Sequence, residues 1–226
     1  MYKRQVRATF PINFGSGLML LCGVFFLPVY LQEVAGLSPF ESGLLLAPMM
    51  FGAAIGTLIA GRRVETTGRY RRWPIGGSVL MTIGVALLAT LQESTPVALA
   101  IAFGGILGLG VGFVMQTSLL ATQNSVDHRD LGTATSTALL FRLLGPAVGT
   151  PVFGAVLNAG LGDGPRTASA FADALPWVFA AAIPVGIATF LVSLRLEERP
   201  LREHAHFGPD TIDVPSAVGV TQGSSA

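Results

Sequence analysis

The chain has 226 residues, 51% of them hydrophobic and only 12% charged, whereas a soluble domain carries roughly a quarter charged residues. That deficit excludes a water-soluble globule, and the balance of 14 Lys and Arg against 13 Asp and Glu removes any electrostatic case for nucleic-acid or acidic-substrate binding. The single cysteine, Cys22, lies in an apolar stretch, so neither a disulfide framework nor a thiol metal site can form within the chain.

In chain order, the opening Met1-Tyr-Lys-Arg-Gln5 resembles the translation of a transposase adapter used to prepare sequencing libraries. The expectation is that Val6 is the first genuine residue and that the chain is a piece of a longer one; a basic segment anchoring the first helix is the alternative. Six apolar stretches follow, each near the ~20 residues a helix needs to cross the hydrocarbon layer. They are predicted at about 10–32, 41–61, 73–92, 96–122, 132–158 and 174–195, with breaks rich in charge, Pro and Gly. The residues from 200 to 226 lose all periodicity and read as a disordered tail. The fold class is therefore an all-α membrane protein of six transmembrane helices, with the lipid bilayer as its first partner.

Charge placement predicts the orientation. With the amino terminus inside, the cytoplasmic side collects Lys3, Arg4, Arg7, Arg62, Arg63, Arg69, Arg71, Arg72, Arg129, Arg195, Arg199 and Arg202, twelve of the 14 basic residues. Only Arg166 falls outside, so the positive-inside rule predicts a multi-pass protein with both termini cytoplasmic.

Within the spans, small residues recur four apart: Gly52 and Gly56, then Gly104, Gly108 and Gly112, then Gly145 and Gly149. This spacing puts them on one helix face where backbones can approach closely, as static packing or as a seam along which helices slide. Pro28, Pro48, Pro146, Pro151 and Pro184 also lie within spans, and each removes a helical hydrogen bond.

Arg142 is the main candidate functional residue. It stands about ten residues into the fifth span, roughly 15 Å deep at 1.5 Å per residue, where an arginine costs about 2.5–3.5 kcal/mol to insert. Its expected role is to face an aqueous cavity and hold a substrate or a carboxylate; snorkelling to the interface is the bland alternative. The other cavity candidates are the isolated polar and soft residues Asn13, Ser16, Met49, Met50, Gln116, Thr117 and Phe141, of kinds that suit a site for varied apolar compounds. Glu33, Glu41 and Glu93 fall at outer helix ends and the histidines in cytoplasmic segments. No catalytic or metal-ligand constellation is present in the sequence, so neither an enzyme activity nor a cofactor is expected.

Two regions resemble a known family. Gly61-Arg-Arg-Val-Glu65-Thr-Thr-Gly68-Arg69-Tyr-Arg71-Arg72 is similar to the major facilitator loop pattern G-x-x-x-D-R-x-G-R, with Glu65 for Asp and Thr66 where Arg is usual. The resemblance implies a charge latch at the cytoplasmic helix ends, and a purely topogenic basic loop is the other reading. More specific are Gly108-Leu-Gly-Val-Gly112, Gln123-Asn-Ser-Val126, Arg129-Asp-Leu-Gly132-Thr-Ala134, Phe141-Arg142 and Gly154-Ala-Val-Leu-Asn158. With Phe26-Leu-Pro28-Val-Tyr30-Leu-Gln32, Ser38-Pro39 and Gly43-Leu-Leu-Leu-Ala-Pro48, they resemble the second half of bacterial fourteen-span drug:proton antiporters. Gln116 near a usual Pro and Leu143-Leu144-Gly145-Pro146 in place of Gln-x-Gly-Gly depart from that pattern.

The resemblance implies one half of a major facilitator fold, built from two inverted three-helix repeats. Helices one, two, four and five would face the cavity, and three and six the lipid. It implies a multidrug efflux antiporter in a bacterial inner membrane, with protons and small amphipathic drug-like substrates as ligands. An amino-terminal transporter half is the missing partner, and it would carry the proton-binding acids. A carrier for a specific metabolite, or a self-assembling six-helix channel or scaffold, are the alternatives.

Overall fold

The computed structural model describes residues 2–196 except Arg69 and Asp163. The expected tail at 200–226, with Arg199 and Arg202, lies outside the described residues. Among those residues the secondary structure is helical throughout, in six apolar rods. They are α1 (Thr9–Val34, with a helical lead from Tyr2), α2 (Pro39–Thr67), α3 (Arg72–Leu88), α4 (Val97–Asn124), α5 (Leu131–Leu161) and α6 (Ala168–Leu194).

Five of these are long and apolar enough to cross a bilayer, and α3 is shorter at 17 residues, about 25 Å at 1.5 Å per residue. The stretch 73–92 predicted there runs past the end of the helix. A turn takes over at its end: the Gln92 amide donates to the Thr95 hydroxyl at 2.9 Å, and the Thr95 amide donates back to the Gln92 carbonyl at 3.0 Å. The phenol of Tyr30, buried in α1, donates to that Gln92 carbonyl at 2.9 Å, which ties the end of the first helix to the α3–α4 turn. Elsewhere helices begin earlier than hydropathy alone implies, because polar caps supply the amide acceptors that a helix end lacks. Ser38 and Glu41 form a reciprocal capping box at the start of α2, and the Thr167 hydroxyl accepts from the Ala170 amide at 3.3 Å at the start of α6.

α1 is continuous but not regular. Two π-helical turns, Cys22–Phe26 and Tyr30–Val34, flank the short Leu27–Val29 segment that contains Pro28. A proline without an amide cannot complete the i→i−4 ladder, and widening to i→i+5 turns lets the chain pass it without breaking. α2 ends differently: Gly68 has φ +65° and donates its amide to the Val64 carbonyl at 2.9 Å, a left-handed cap that a side chain would strain.

The packing is interleaved. α2 lies chiefly against α4, not against its chain neighbours, and α5 lies against α1; α4 also packs on α3, and α1 on α4 and α6. Exchanging α1 with α4, α2 with α5 and α3 with α6 maps these contacts onto one another, as two inverted three-helix repeats require, whereas the packing of α5 on α6 has no counterpart of like extent between α2 and α3. The core threads between α1, α3, α4 and α6, around Met19, Leu27, Leu31, Met81, Leu107 and Phe179.

Glycine sets the spacing at each crossing. A Cβ on Gly52 would lie 2.6 Å from the Gly105 carbonyl oxygen and one on Gly56 2.5 Å from that of Leu109, while Cβ atoms on Gly108 and Gly112 would overlap the carbonyls of Met49 and Ala53. The α2 and α4 stripes thus interlock in one seam, where the backbones themselves are in contact. Gly104 instead faces Leu27 of α1, whose Cδ2 would lie 2.7 Å from its Cβ. Gly145 and Gly149 form the matching seam against Phe14 and Leu18 of α1, completed from the other side by Gly17, whose Cβ would overlap the Arg142 carbonyl. A third seam joins α3 to α4 through Gly77, Gly84 and Gly110.

Candidate functional site

The polar residues of α1 and α4 meet inside the bundle. Asn13 donates through Nδ2 to the Thr9 carbonyl at 2.9 Å and accepts at Oδ1 from the Ser118 hydroxyl at 3.1 Å, which links the two helices. Ser16 donates to the Asn13 carbonyl at 2.9 Å and Thr117 to the Phe113 carbonyl at 2.6 Å. All four of Asn13, Ser16, Thr117 and Ser118 are buried, and every buried side-chain polar atom among the described residues has a hydrogen-bond partner. A polar group without a partner in hydrocarbon is costly, so these bonds satisfy the buried side chains, and the Asn13–Ser118 bond holds α1 to α4.

The eight cavity candidates therefore divide. Asn13, Ser16, Thr117 and Met49 are enclosed, Met49 between Gly23, Gly104 and Gly108. Arg142, Phe141 and Gln116 are partly exposed, and Met50 is exposed on the outer face of α2. The Phe141 ring stacks on Phe10 with centroids 4.7 Å apart and planes 1° from parallel. Gln116 packs across Gly61, its Nε2 3.6 Å from where a Cβ there would stand.

Arg142 occupies the α1–α5 crossing. Its carbonyl sits against Gly17, and its Cγ lies 3.2 Å from the position of a Cβ there. It stands eleven residues beyond the start of α5, whose first residue is Leu131, about 16 Å along the axis. Among the described residues the guanidinium has no hydrogen-bond or ion-pair partner. Arg142 is partly exposed there, next in sequence to Phe141 of the Phe10–Phe141 stack that joins the same two helices.

The basic loop after α2 has a different geometry. Gly61 is buried, Glu65 is exposed, Gly68 caps the helix, and Arg69 lies outside the described residues. Arg71 donates from Nη2 to the Leu194 carbonyl at 3.1 Å, at the last turn of α6. A cation on the unsatisfied carbonyls of a helix end is favourable, so the loop fastens the last helix to the junction of the second and third. This partner could not be found from local pattern, since 123 residues separate donor and acceptor. Gly17 could have been found: it lies four residues after Asn13, in the small-residue run Gly15-Ser16-Gly17.

The outer faces of two helices are unusual. Only 17% of the most apolar window of α2, and 17% of that of α5, is buried, against 61% for α1. Leu44, Phe51, Ile55 and Leu58 form an exposed stripe on α2, and Leu140, Leu144, Val148 and Val152 form one on α5. Both stripes follow helical spacing, so each is a continuous apolar face without a partner among the described residues.

With this geometry in view, comparison with known proteins is decisive on the family. The family described as Major Facilitator Superfamily matches residues 9–216. The chain belongs to the major facilitator superfamily, whose members are transporters and not enzymes. It is 32% identical over 243 residues to an uncharacterized MFS-type transporter of Mycobacterium tuberculosis, a match that covers 95% of this chain and 35% of the relative. It is 36% identical over 152 residues to the multidrug transporter protein MdtP of Bacillus subtilis, covering 67% of this chain and 28% of that protein. The chain thus spans about a third of the length of these relatives. The crystal structure of a D-xylose-proton symporter superposes with a TM-score of 0.63 at 18% identity, over 88% of this chain and 48% of that one. That likeness establishes the fold, half of a major facilitator bundle, and the family together with the apolar helices makes this a multi-pass membrane protein.

Proposed function

We propose that the chain is the carboxyl-terminal six-helix half of a multidrug efflux antiporter of the fourteen-span type, working in a bacterial inner membrane. It exports small amphipathic drug-like molecules in exchange for protons, by rocking against an amino-terminal half. The single observation that carries this reading is the pair of unpartnered apolar faces on α2 and α5 in a chain that spans about a third of its relatives' length. Two such faces on one bundle suit a second bundle of the same kind, and the interlocked glycine seams let each half move as a rigid body. The drug class is supported by the relatives, among them the multidrug transporter MdtP and an efflux pump of a Fusarium species.

On this reading both termini are cytoplasmic, in keeping with twelve of the 14 basic residues at one side. The partly exposed Arg142 and Phe141 contribute to the substrate path, and Arg71 is part of a latch at the cytoplasmic helix ends. The proton carrier belongs to the other half.

The test is dye and drug accumulation in an efflux-deficient host. The 226-residue chain expressed alone is expected to confer no resistance. Co-expressed with an amino-terminal half, it is expected to lower ethidium accumulation in a manner abolished by a protonophore. Resistance from this chain alone would overturn the half-transporter reading and favour a self-assembling channel.

A further inference from the structure

An exposed side of α3 carries a groove apart from the candidate site. Trp73, Gly76, Leu80 and Ile83 succeed one another at intervals of three and four residues, so they line one stripe of the helix. Gly76 leaves the indentation: a Cβ placed there would meet nothing within 4 Å. With Val79 beside it and Phe113 of α4 as the far wall, the stripe lines an open groove of about 330 Å³. From Arg72 to Ile83 the groove runs eleven residues, roughly 16 Å, close to one leaflet of the ~30 Å hydrocarbon layer.

The two ends of the groove differ in chemistry. Towards the middle of the bundle the walls are aliphatic. At the basic end it opens into a cleft of about 530 Å³ lined by Arg63, Thr67, Arg72 and Trp73. The Trp73 ring stands edge-on to Phe113 with centroids 5.1 Å apart, at the boundary between the oily groove and the cationic cleft. Tryptophan favours that depth in a membrane, with an apolar body and a polar edge. Arg63 and Arg72 are exposed, and neither guanidinium has a hydrogen-bond or ion-pair partner among the described residues. Two free arginines converging on one cleft at the mouth of an acyl-sized groove are complementary to a phosphodiester with a hydrocarbon tail.

We infer that this groove is a binding site for one anionic phospholipid. The phosphate is held between Arg63 and Arg72, Trp73 lies at the glycerol level, and one acyl chain fills the channel over Gly76 against Leu80, Ile83 and Phe113. The inference requires only that the bundle spans a membrane. It does not depend on the transported substrate.

Native mass spectrometry of the full chain in detergent, titrated with phosphatidylglycerol or phosphatidylcholine of identical acyl chains, tests it. The wild-type chain is expected to retain phosphatidylglycerol in preference. The Arg63→Gln/Arg72→Gln double variant is expected to weaken that binding roughly 25-fold, since each arginine near an anionic headgroup is worth about a factor of five. Gly76→Leu, which fills open space and leaves the fold intact, is expected to weaken binding of both lipids. Arg166→Gln, on the far side, is the control and should change nothing. Equal retention of the two lipids, or phosphatidylglycerol binding unaltered in the double variant, would overturn the inference. So would displacement of the lipid by millimolar inorganic phosphate, which would mark the cleft as a site for the free anion.

Discussion

Gly108→Ala is expected to destabilise the purified chain, although alanine is the better helix former. The new Cβ would overlap the Met49 carbonyl of α2, and a backbone atom cannot rotate away as a side chain can, so the two helices must separate. Overpacking of this kind costs about 1–3 kcal/mol, which in a protein of this size lowers the melting temperature by roughly 2–4 °C per kcal/mol. The matched control is Gly154→Ala in α5, where a Cβ meets nothing within 4 Å. There only helix propensity acts, so stability should hold or rise by up to about 1 kcal/mol. Thermal unfolding in detergent by circular dichroism compares the two. The same chemical change should give opposite signs, and a Gly108→Ala protein that melts with the wild type would show that the α2–α4 seam has room for a methyl group at Gly108.

Arg142→Ala is expected to leave that melting temperature nearly unchanged and, on the proposed half-transporter reading, to abolish transport once the chain is assembled with an amino-terminal half. The guanidinium contributes no bond to the bundle among the described residues, so its removal costs the fold little. If it holds an anionic group of the substrate or of the opposite half, losing one partner of such a pair costs about 2–5 kcal/mol, or at least roughly 30-fold in drug efflux. Arg142→Lys keeps the charge and loses the planar fork, so partial activity is expected. Normal efflux by both variants would reduce Arg142 to an arginine that snorkels from a helix crossing.

These two residues also mark how far the sequence could be read. The glycine repeats at 52/56, 104/108/112 and 145/149 were visible as packing faces because four-residue spacing is a local property of a helix. Which helix each would meet was not, since Gly108 against Met49 and Gly145 against Phe14 are facts of tertiary arrangement. The long apolar stretches were legible for the same local reason. The early end of α3 at Leu88 was not, because it depends on a turn stabilised by Thr95 and by Tyr30 from another helix. Pro28 announced a disturbance in α1, yet its form, two π-helical turns in place of a break, rests on the packing around Cys22, Leu27 and Leu31.

The candidate site was less legible than the fold. Polarity within a span singled out Asn13, Ser16 and Thr117, but polarity alone cannot distinguish a residue that lines a path from one that satisfies its neighbour. Asn13 with Ser118 is the second kind, as the 3.1 Å bond between α1 and α4 makes plain. Arg142 differs because a guanidinium is too long and too strongly charged to be satisfied silently inside a helix crossing. The Arg71 bond to the Leu194 carbonyl, which joins loop and last helix, had no local signature at all.

Half a dozen oily rods must lie in lipid, and membrane fractionation measures that directly. The expressed chain should stay in the membrane pellet through alkaline carbonate washing and enter solution only with detergent, as a helical, monodisperse species. Recovery of a folded monomer in plain buffer would contradict it.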